Sequence, residues 1–180
     1  MKRTKLQLKG EDPTKQKVYI GIDNGVTGTI GIILGNESVF FKTPTFKQQN
    51  YTKKKANITR VDAPRLLSLL KPYEKYNVMC VLERPMVQPK GRWVATQSAL
   101  RALESTLTVV EVLGYAYDYM DSKEWQKALL PKGSKGDQLK VDSKTIGCRL
   151  FPKHAELINK HTDADGMLMA EYCRRKFNNL

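Results

Sequence analysis

The sequence predicts an α/β protein with a five-stranded mixed sheet: an antiparallel three-strand meander plus two further strands, flanked by helices on both faces. Three observations predict it. Three short, β-branched runs between Val18 and Lys42 are separated only by tight turns, the pattern of a meander. Val78-Met79-Cys80-Val81-Leu82 is wholly apolar, as a central strand covered on both faces must be. After it, helical periodicity alternates with one more strand-like run, which places helices against both sides of the sheet.

The elements follow in order. Val18 to Ile22 is the first strand, closed by the turn chemistry of Asp23-Asn24-Gly25. Thr29 to Leu34 is the second strand, Gly35-Asn36 a turn, and Ser38 to Lys42 the third strand. Thr43 to Arg60 is polar and basic and reads as a mobile loop. Asp62 caps a helix over roughly Ala63 to Leu70, with Pro64 tolerated in its first turn and Pro72 ending it. Val78 to Leu82 runs into Glu83, and Arg84 to Val94 is a loop with Pro85, Pro89 and Gly91. Ala95 to Leu113 reads as a long helix with Leu100, Leu103, Leu107, Val110 and Leu113 on its apolar side. Gly114 stops it, and Tyr115 to Met120 is the fifth strand. Ser122 caps a helix containing Trp125, Ala128 and Leu129. Pro131 to Lys140 is a Gly/Lys loop, Val141 to Phe151 a short helix ended by Pro152, and Asp163 to Phe177 the last helix. The expected organisation is a basic, flexible tail over 1–17 and a single domain over 18–180.

Charge narrows the function classes. Lys plus Arg total 31 against 18 Asp plus Glu, a formal net charge of +13. The excess is concentrated in Met1–Lys17, Lys42–Arg60, Arg84–Arg101 and Lys123–Arg149, and the remainder of the chain is net acidic. Lys42–Arg60 and Arg84–Arg101 contain no acid at all. Basic stretches around a less basic body are the electrostatic footprint of a polyanion, above all nucleic acid. The apolar fraction of 41% excludes a wholly disordered chain. No apolar run is long enough for a membrane-spanning helix, and the basic N-terminus has no apolar signal core. Cys80, Cys148 and Cys173 lack zinc-ligand spacing, and an odd count fits a reducing compartment. The expected location is cytoplasmic, in the host cytoplasm if the source is viral, with no membrane partner.

The minority acids stand out against this background. Asp23 and Glu83 each end an apolar strand, a costly place for an ionised carboxylate without compensation. Each also has a plain structural reading, Asp23 as a turn former and Glu83 as a partner for Arg84. His161-Thr162-Asp163-Ala164-Asp165 opens the last helix, where acids serve equally as caps. Taken together, two strand-end acids and two helix-start acids make a possible cage for a hard cation. Mg2+ takes oxygen ligands and keeps several waters, so a few carboxylates suffice. Two such ions about 4 Å apart can activate water and stabilise a leaving oxygen in phosphodiester hydrolysis.

Five motifs in one order resemble the RuvC family of Holliday junction resolvases, especially its phage-type members, of the ribonuclease H-like superfamily. They are Ile20-Gly21-Ile22-Asp23-Asn24-Gly25 with Thr27-Gly28; Val81-Leu82-Glu83-Arg84-Pro85; Ser122-Lys123-Glu124-Trp125-Gln126-Lys127; Asp142-Ser143-Lys144 with Arg149-Leu150-Phe151-Pro152; and Asp165-Gly166-Met167-Leu168-Met169-Ala170-Glu171-Tyr172. The resemblance implies a ribonuclease H-like fold and a Mg2+-dependent endonuclease, with Mn2+ as substitute ion. It implies a homodimer that cuts four-way and other branched DNA in recombination and repair, leaving a 5′-phosphate and a 3′-hydroxyl. Carried over by position, Asp23, Glu83 and Asp165 are metal ligands. The family often places its fourth acid or histidine three residues before the helix Asp, which is Thr162 here. Asp163 is therefore taken as the fourth ligand, with His161 as the alternative. Lys144 is the candidate cation near the scissile phosphate, or an ordinary exposed helix lysine. Gly166 stands where the family usually has Ala and is expected to make room for metal or phosphate.

Lys53, Lys54, Lys55, Arg84, Met86, Lys90, Arg92 and Trp93 are the expected DNA contacts. Arg92-Trp93 would pair phosphate contact with base stacking, and Met86 would wedge an opened junction. Trp93 has the alternative of starting the next helix from the core. The competing functions are a ribonuclease H or flap nuclease on the same fold, and a DNA-binding protein without catalysis. An actin-like ATP binder resembles Ile22-Asp23-Asn24-Gly25-Val26-Thr27-Gly28 but needs two such domains and a longer chain.

Overall fold

The computed structural model describes residues 14–50, 53, 56–85 and 93–178. Its five-stranded sheet comprises β1 (Lys17–Ile22), β2 (Thr29–Leu34), β3 (Glu37–Lys42), β6 (Asn77–Glu83) and β7 (Ala116–Met120), in the order β3-β2-β1-β6-β7. The meander β1-β2-β3 is antiparallel, while β6 runs parallel to both β1 and β7. Between β3 and β6 lie a two-stranded sheet, β4 (Thr45–Gln49) with β5 (Asn57–Val61), and helix α1 (Ala63–Leu70). The other helices are α2 (Trp93–Val112), α3 (Ser122–Leu129), α4 (Gln138–Leu150), α5 (Ala155–Lys160) and α6 (Asp165–Phe177).

The period-2 pleat divides the core into two layers. Val18, Ile20, Ile22, Ile30, Ile32, Val78, Cys80 and Leu82 face one side and pack with Leu66, Leu70, Ala102, Val109 and Val110 of α1 and α2. Tyr19, Ile33, Met79 and Val81 face the other side, with Trp125 of α3, Ile146 of α4, Ile158 of α5 and Met167 to Ala170 of α6. The two-faced burial explains why β1, β2 and β6 read as near-continuous apolar runs.

Helix α6 lies against the sheet at backbone distance. A Cβ on Gly21 would sit 2.1 Å from the Ala170 nitrogen, and one on Gly31 would sit 2.4 Å from the Met167 Cα. One on Gly166 would sit 2.3 Å from the Thr29 carbonyl oxygen. Gly166 therefore opens no room for metal or phosphate; its missing side chain is where the sheet comes closest. Met167, Leu168 and Met169 are fully buried, each worth on the order of 2 kcal/mol of apolar transfer.

The element expectations need several corrections. Thr43–Arg60 is not a loop throughout, because β4 and β5 pair from Thr45↔Val61 to Gln49↔Asn57. Alternation there is masked by long polar side chains, since this ribbon has little core to face. Ser122 is the first residue of α3, with Asp121 at the N-cap position. Helix α4 starts at Gln138, earlier than Val141, and α6 starts at Asp165, with Ala164 at its N-cap. Helix α5 was not foreseen, its six residues being too short to show a period. On α2, Leu100 is exposed rather than core-facing, while Ala102 and Thr106 are buried. Asp62 does cap α1, accepting from the Arg65 N–H at 3.1 Å. The expected tail is outside the described residues up to residue 13, whereas the Lys15 and Gln16 carbonyls accept hydrogen bonds from Asn77.

The backbone contact generates a test. Gly31→Ala drives a methyl group into α6 with no flexible atom to yield, and is expected to lower stability by about 3 kcal/mol in urea denaturation. A loss under ~0.5 kcal/mol would show that α6 does not sit this close.

Candidate metal centre

The strands of the central pair deliver two acids by register alone. Ile22 of β1 is opposite Leu82 of β6, so Asp23 and Glu83 leave adjacent parallel strands at the same end. Asp23 follows the parity of Tyr19 and Gly21, and Glu83 that of Met79 and Val81, so both belong to the α6 face. The Asp23 N–H donates to the Thr29 carbonyl at 3.0 Å, and Gly28 packs against its carboxylate. Asn24 ties the same turn to α2 by donating its amide to the Ala99 carbonyl at 3.2 Å.

The other two acids come from the start of α6. Because the helix begins at Asp165, Asp163 lies outside it and escapes the helical rule that residues two apart diverge. Asp23, Asp163 and Asp165 each offer an oxygen within 4.8 Å of the others. Glu83 joins through a carboxyl–carboxyl hydrogen bond with Asp23, which requires a proton on one of them. Thr162 is exposed and His161 only half-buried, edge-on to Phe40 at a ring separation of 5.4 Å. Burial and the nearby Lys42 lower the His161 pKa.

Three side chains that hold this geometry were not singled out from the sequence. The Ser143 hydroxyl, 1% exposed, donates to Asp165 at 2.5 Å and accepts from the Ala164 N–H at 3.0 Å. Ser122 lies close enough to Glu83 to favour its charged form. The Thr29 hydroxyl accepts from the Gly166 N–H at 3.0 Å. Serines and threonines are common enough that only the fold marks these three. Lys140 also lies close enough to favour the charged forms of Asp163 and Asp165.

The remaining expected residues are placed as follows. The Lys144 ammonium donates to the Asn159 carbonyl at 3.0 Å, tying α4 to α5, and still acts on Asp163 at longer range. Arg84 is exposed with its guanidinium 5.8 Å from the Tyr119 ring. Trp93 opens α2 and is 72% exposed, so it is not a core residue. Lys53 is exposed. Lys54, Lys55, Met86, Lys90 and Arg92 lie outside the described residues.

Burial is the largest cause of an upward pKa shift at all four acids. It raises Asp23 well above the usual carboxylate range, helped by Glu83 and Asp163. It also raises Glu83 and Asp163, and pushes Asp165 up to about 8. Among the described residues no cation reaches any of the four within salt-bridge distance. A crowded set of hard oxygen donors whose charged forms burial disfavours fits a divalent cation.

Two tests follow. Over pH 4 to 8 the folded state binds protons that the unfolded chain has released, so metal-free stability is expected to fall as pH rises. Asp165→Asn is expected to flatten that fall and to raise metal-free stability at pH 8 by on the order of a few kcal/mol. Thermal melts across that range check both, and stability rising with pH would contradict the buried acids. Ser143→Ala is expected to weaken Mn2+ binding about tenfold by calorimetry, since it frees Asp165 to rotate.

No protein-family model matches the chain, and no curated protein matches it in sequence. Among solved structures, RuvC from T. thermophilus in complex with a Holliday junction substrate is 13% identical, with a TM-score of 0.50 over 88% of this chain and 96% of that one. A second Thermus thermophilus RuvC structure is 14% identical with a TM-score of 0.48 over the same shares. At such identity the likeness is one of backbone path, and it agrees with the sheet order and the helices on both faces. The chain has the RuvC-like form of the ribonuclease H-like fold.

Proposed function

We propose that this protein is a divalent-metal-dependent endonuclease that cuts branched DNA, four-way junctions above all. The observation that carries the reading is the meeting of Asp23, Asp163 and Asp165, with Glu83 bonded to Asp23, on a RuvC-like fold. The strongly basic chain supports a polyanionic substrate. The structural neighbour named above was solved with a Holliday junction substrate.

In this reading Asp23, Glu83, Asp163 and Asp165 hold Mg2+, or Mn2+ in its place. Bound there, the ions supply activation of water and stabilisation of the leaving oxygen. The chain's own part is positional. Ser143 holds the carboxylate of Asp165 in a fixed direction, and Ser122 lies beside that of Glu83. Lys144 is kept in the proposal as a cation near the scissile phosphate, acting at longer range because its ammonium is bonded to Asn159. Arg84 and Trp93, one directly after β6 and the other opening α2, are the described contacts proposed for DNA beside the site. Lys53, Lys54 and Lys55, with Met86, Lys90 and Arg92, complete that set. A cytoplasmic homodimer forming one domain over 18–180 belongs to the same proposal, and Val94, Leu100 and Val112 leave apolar surface on α2 for a second copy. Among the described residues no helix is long and apolar enough to cross a membrane.

The experiment is cleavage of a synthetic four-way junction, a flap and an RNA–DNA hybrid in Mg2+ or Mn2+. The junction is expected to be cut fastest. Asp23→Asn, Glu83→Gln and Asp165→Asn are each expected to reduce cutting at least a thousandfold while keeping junction binding. Wild-type cutting by Asp165→Asn would remove the carboxylates from the reaction, and preference for the hybrid would reassign the substrate.

A further inference from the structure

The ribbon β4–β5 is unused by the carboxylate site, yet it is rooted beside it. The Thr43 N–H donates to the Gly28 carbonyl at 3.0 Å, and the Asp62 N–H donates to the Pro44 carbonyl at 2.8 Å. Gly28 is the residue that packs against the Asp23 carboxylate. From that root the five paired positions extend about 17 Å at ~3.4 Å per residue, roughly half a turn of duplex DNA.

The two faces of the ribbon differ. Val61 is buried against the α1–α2 layer, and the pleat puts Thr59 and Lys47 on its face. The opposite face carries Phe46, Gln48, Ile58 and Arg60, of which Phe46 is exposed and the other three half-buried. Phe46 is 41% exposed and directly opposite Arg60, whose guanidinium lies 5.9 Å from the ring. The Arg60 Nη1 donates to the Gln48 Oε1 at 2.9 Å. Arg60 is thus held by a cation–π contact and by one hydrogen bond, and its other N–H donors have no hydrogen bond among the described residues. A guanidinium already ordered loses little side-chain freedom on binding an anion. Lys47 is exposed on the other face, and no acid occurs between Lys42 and Arg60.

We propose that the β4–β5 ribbon grips one duplex arm of the DNA, with Arg60, held over Phe46, and Lys47 contacting its backbone phosphates. This deepens and rests on the reading of the protein as a branched-DNA endonuclease. A two-stranded ribbon is narrow enough to enter the major groove, and the uniformly positive charge of this one matches a polyphosphate surface. The root beside Asp23 ties the position of the arm to the scissile phosphate.

The test measures junction binding by fluorescence anisotropy in EDTA over a series of salt concentrations, with cleavage in Mg2+ assayed separately. Lys47→Gln combined with Arg60→Gln is expected to weaken binding about tenfold and to make the log–log salt slope shallower by about 0.9 for each phosphate left without its cation. Phe46→Ala is expected to weaken binding severalfold at nearly constant slope. Lys47→Gln alone, an exposed change that does not touch the ribbon's packing, is expected to lower the slope by about 0.9. Lys71→Gln combined with Lys75→Gln removes the same charge near the far end of β6 and is expected to leave the slope unchanged. An unaltered slope in both the Lys47 variant and the double variant overturns the proposal, as does an equal decrease in the Lys71/Lys75 control. Wild-type protein that binds the junction and cuts nothing defeats the nuclease reading alone, and the ribbon is still decided by the slope. Wild-type protein that binds no DNA overturns both.

Discussion

The contact of α6 with the backbone of β1 and β2 is the constraint on which the site depends. A side chain at these contacts would hold α6 off the sheet and carry its first residue away from the end of β1. Gly21, Gly31 and Gly166 remove the atoms that would hold the layers apart. Gly147 does the same for α4, where a Cβ would come 2.4 Å from that of Ala164. That second close approach brings the Ser143 hydroxyl to Asp165. Four positions without side chains thus place four acids and the serine that aims one of them.

The same arrangement carries an electrostatic cost. Burial acts against ionisation of all four acids, carboxylate repulsion adds to it at Asp23, Glu83 and Asp165, and among the described residues no lysine or arginine pairs with the four directly. The large apolar core supplies the stability that tolerates this. Met167, Leu168 and Met169 are fully buried in the turns of α6 that follow Asp165, so the helix that begins with this acid is itself deeply packed. Elsewhere buried charge is treated differently: Glu171, also on α6, is neutralised by Arg174 and Arg175 at 2.7 to 2.9 Å. One acid of α6 is thus ion-paired by its own helix, while the four at the end of the sheet have no ion pair among the described residues.

The legibility of the sequence varied with the local signal. β1, β2 and β6 were readable because burial on both faces makes each a near-continuous apolar run. The ribbon was not, because Lys47, Gln48 and Gln49 are solvated and carry no hydrophobic period. The six residues of α5 are too few to display one. Asp23 and Glu83 stood out as acids closing apolar strands, a discordance visible in one dimension. Asp163 rested on the resemblance and on a helix beginning late enough, which the start of α6 at Asp165 satisfies. Lys144 illustrates the opposite case, since its residue type suited a catalytic cation while the fold gives its ammonium to Asn159.

Apolar period and charge are properties of neighbours along the chain, so the succession of strands, the two-sided core and the unusual acids could be read in one dimension. Which acids meet, which hydroxyls orient them, and that a basic stretch is a ribbon rooted beside Asp23 emerged only in three. Those outcomes depend on parallel register and on helix–sheet separation, set by contacts between residues far apart in the chain, such as Ile22 opposite Leu82 and the Gly166 N–H on the Thr29 hydroxyl. No local pattern encodes a distance between elements. A glycine whose role is to let another backbone approach is, in the sequence, the same letter as a glycine in a turn.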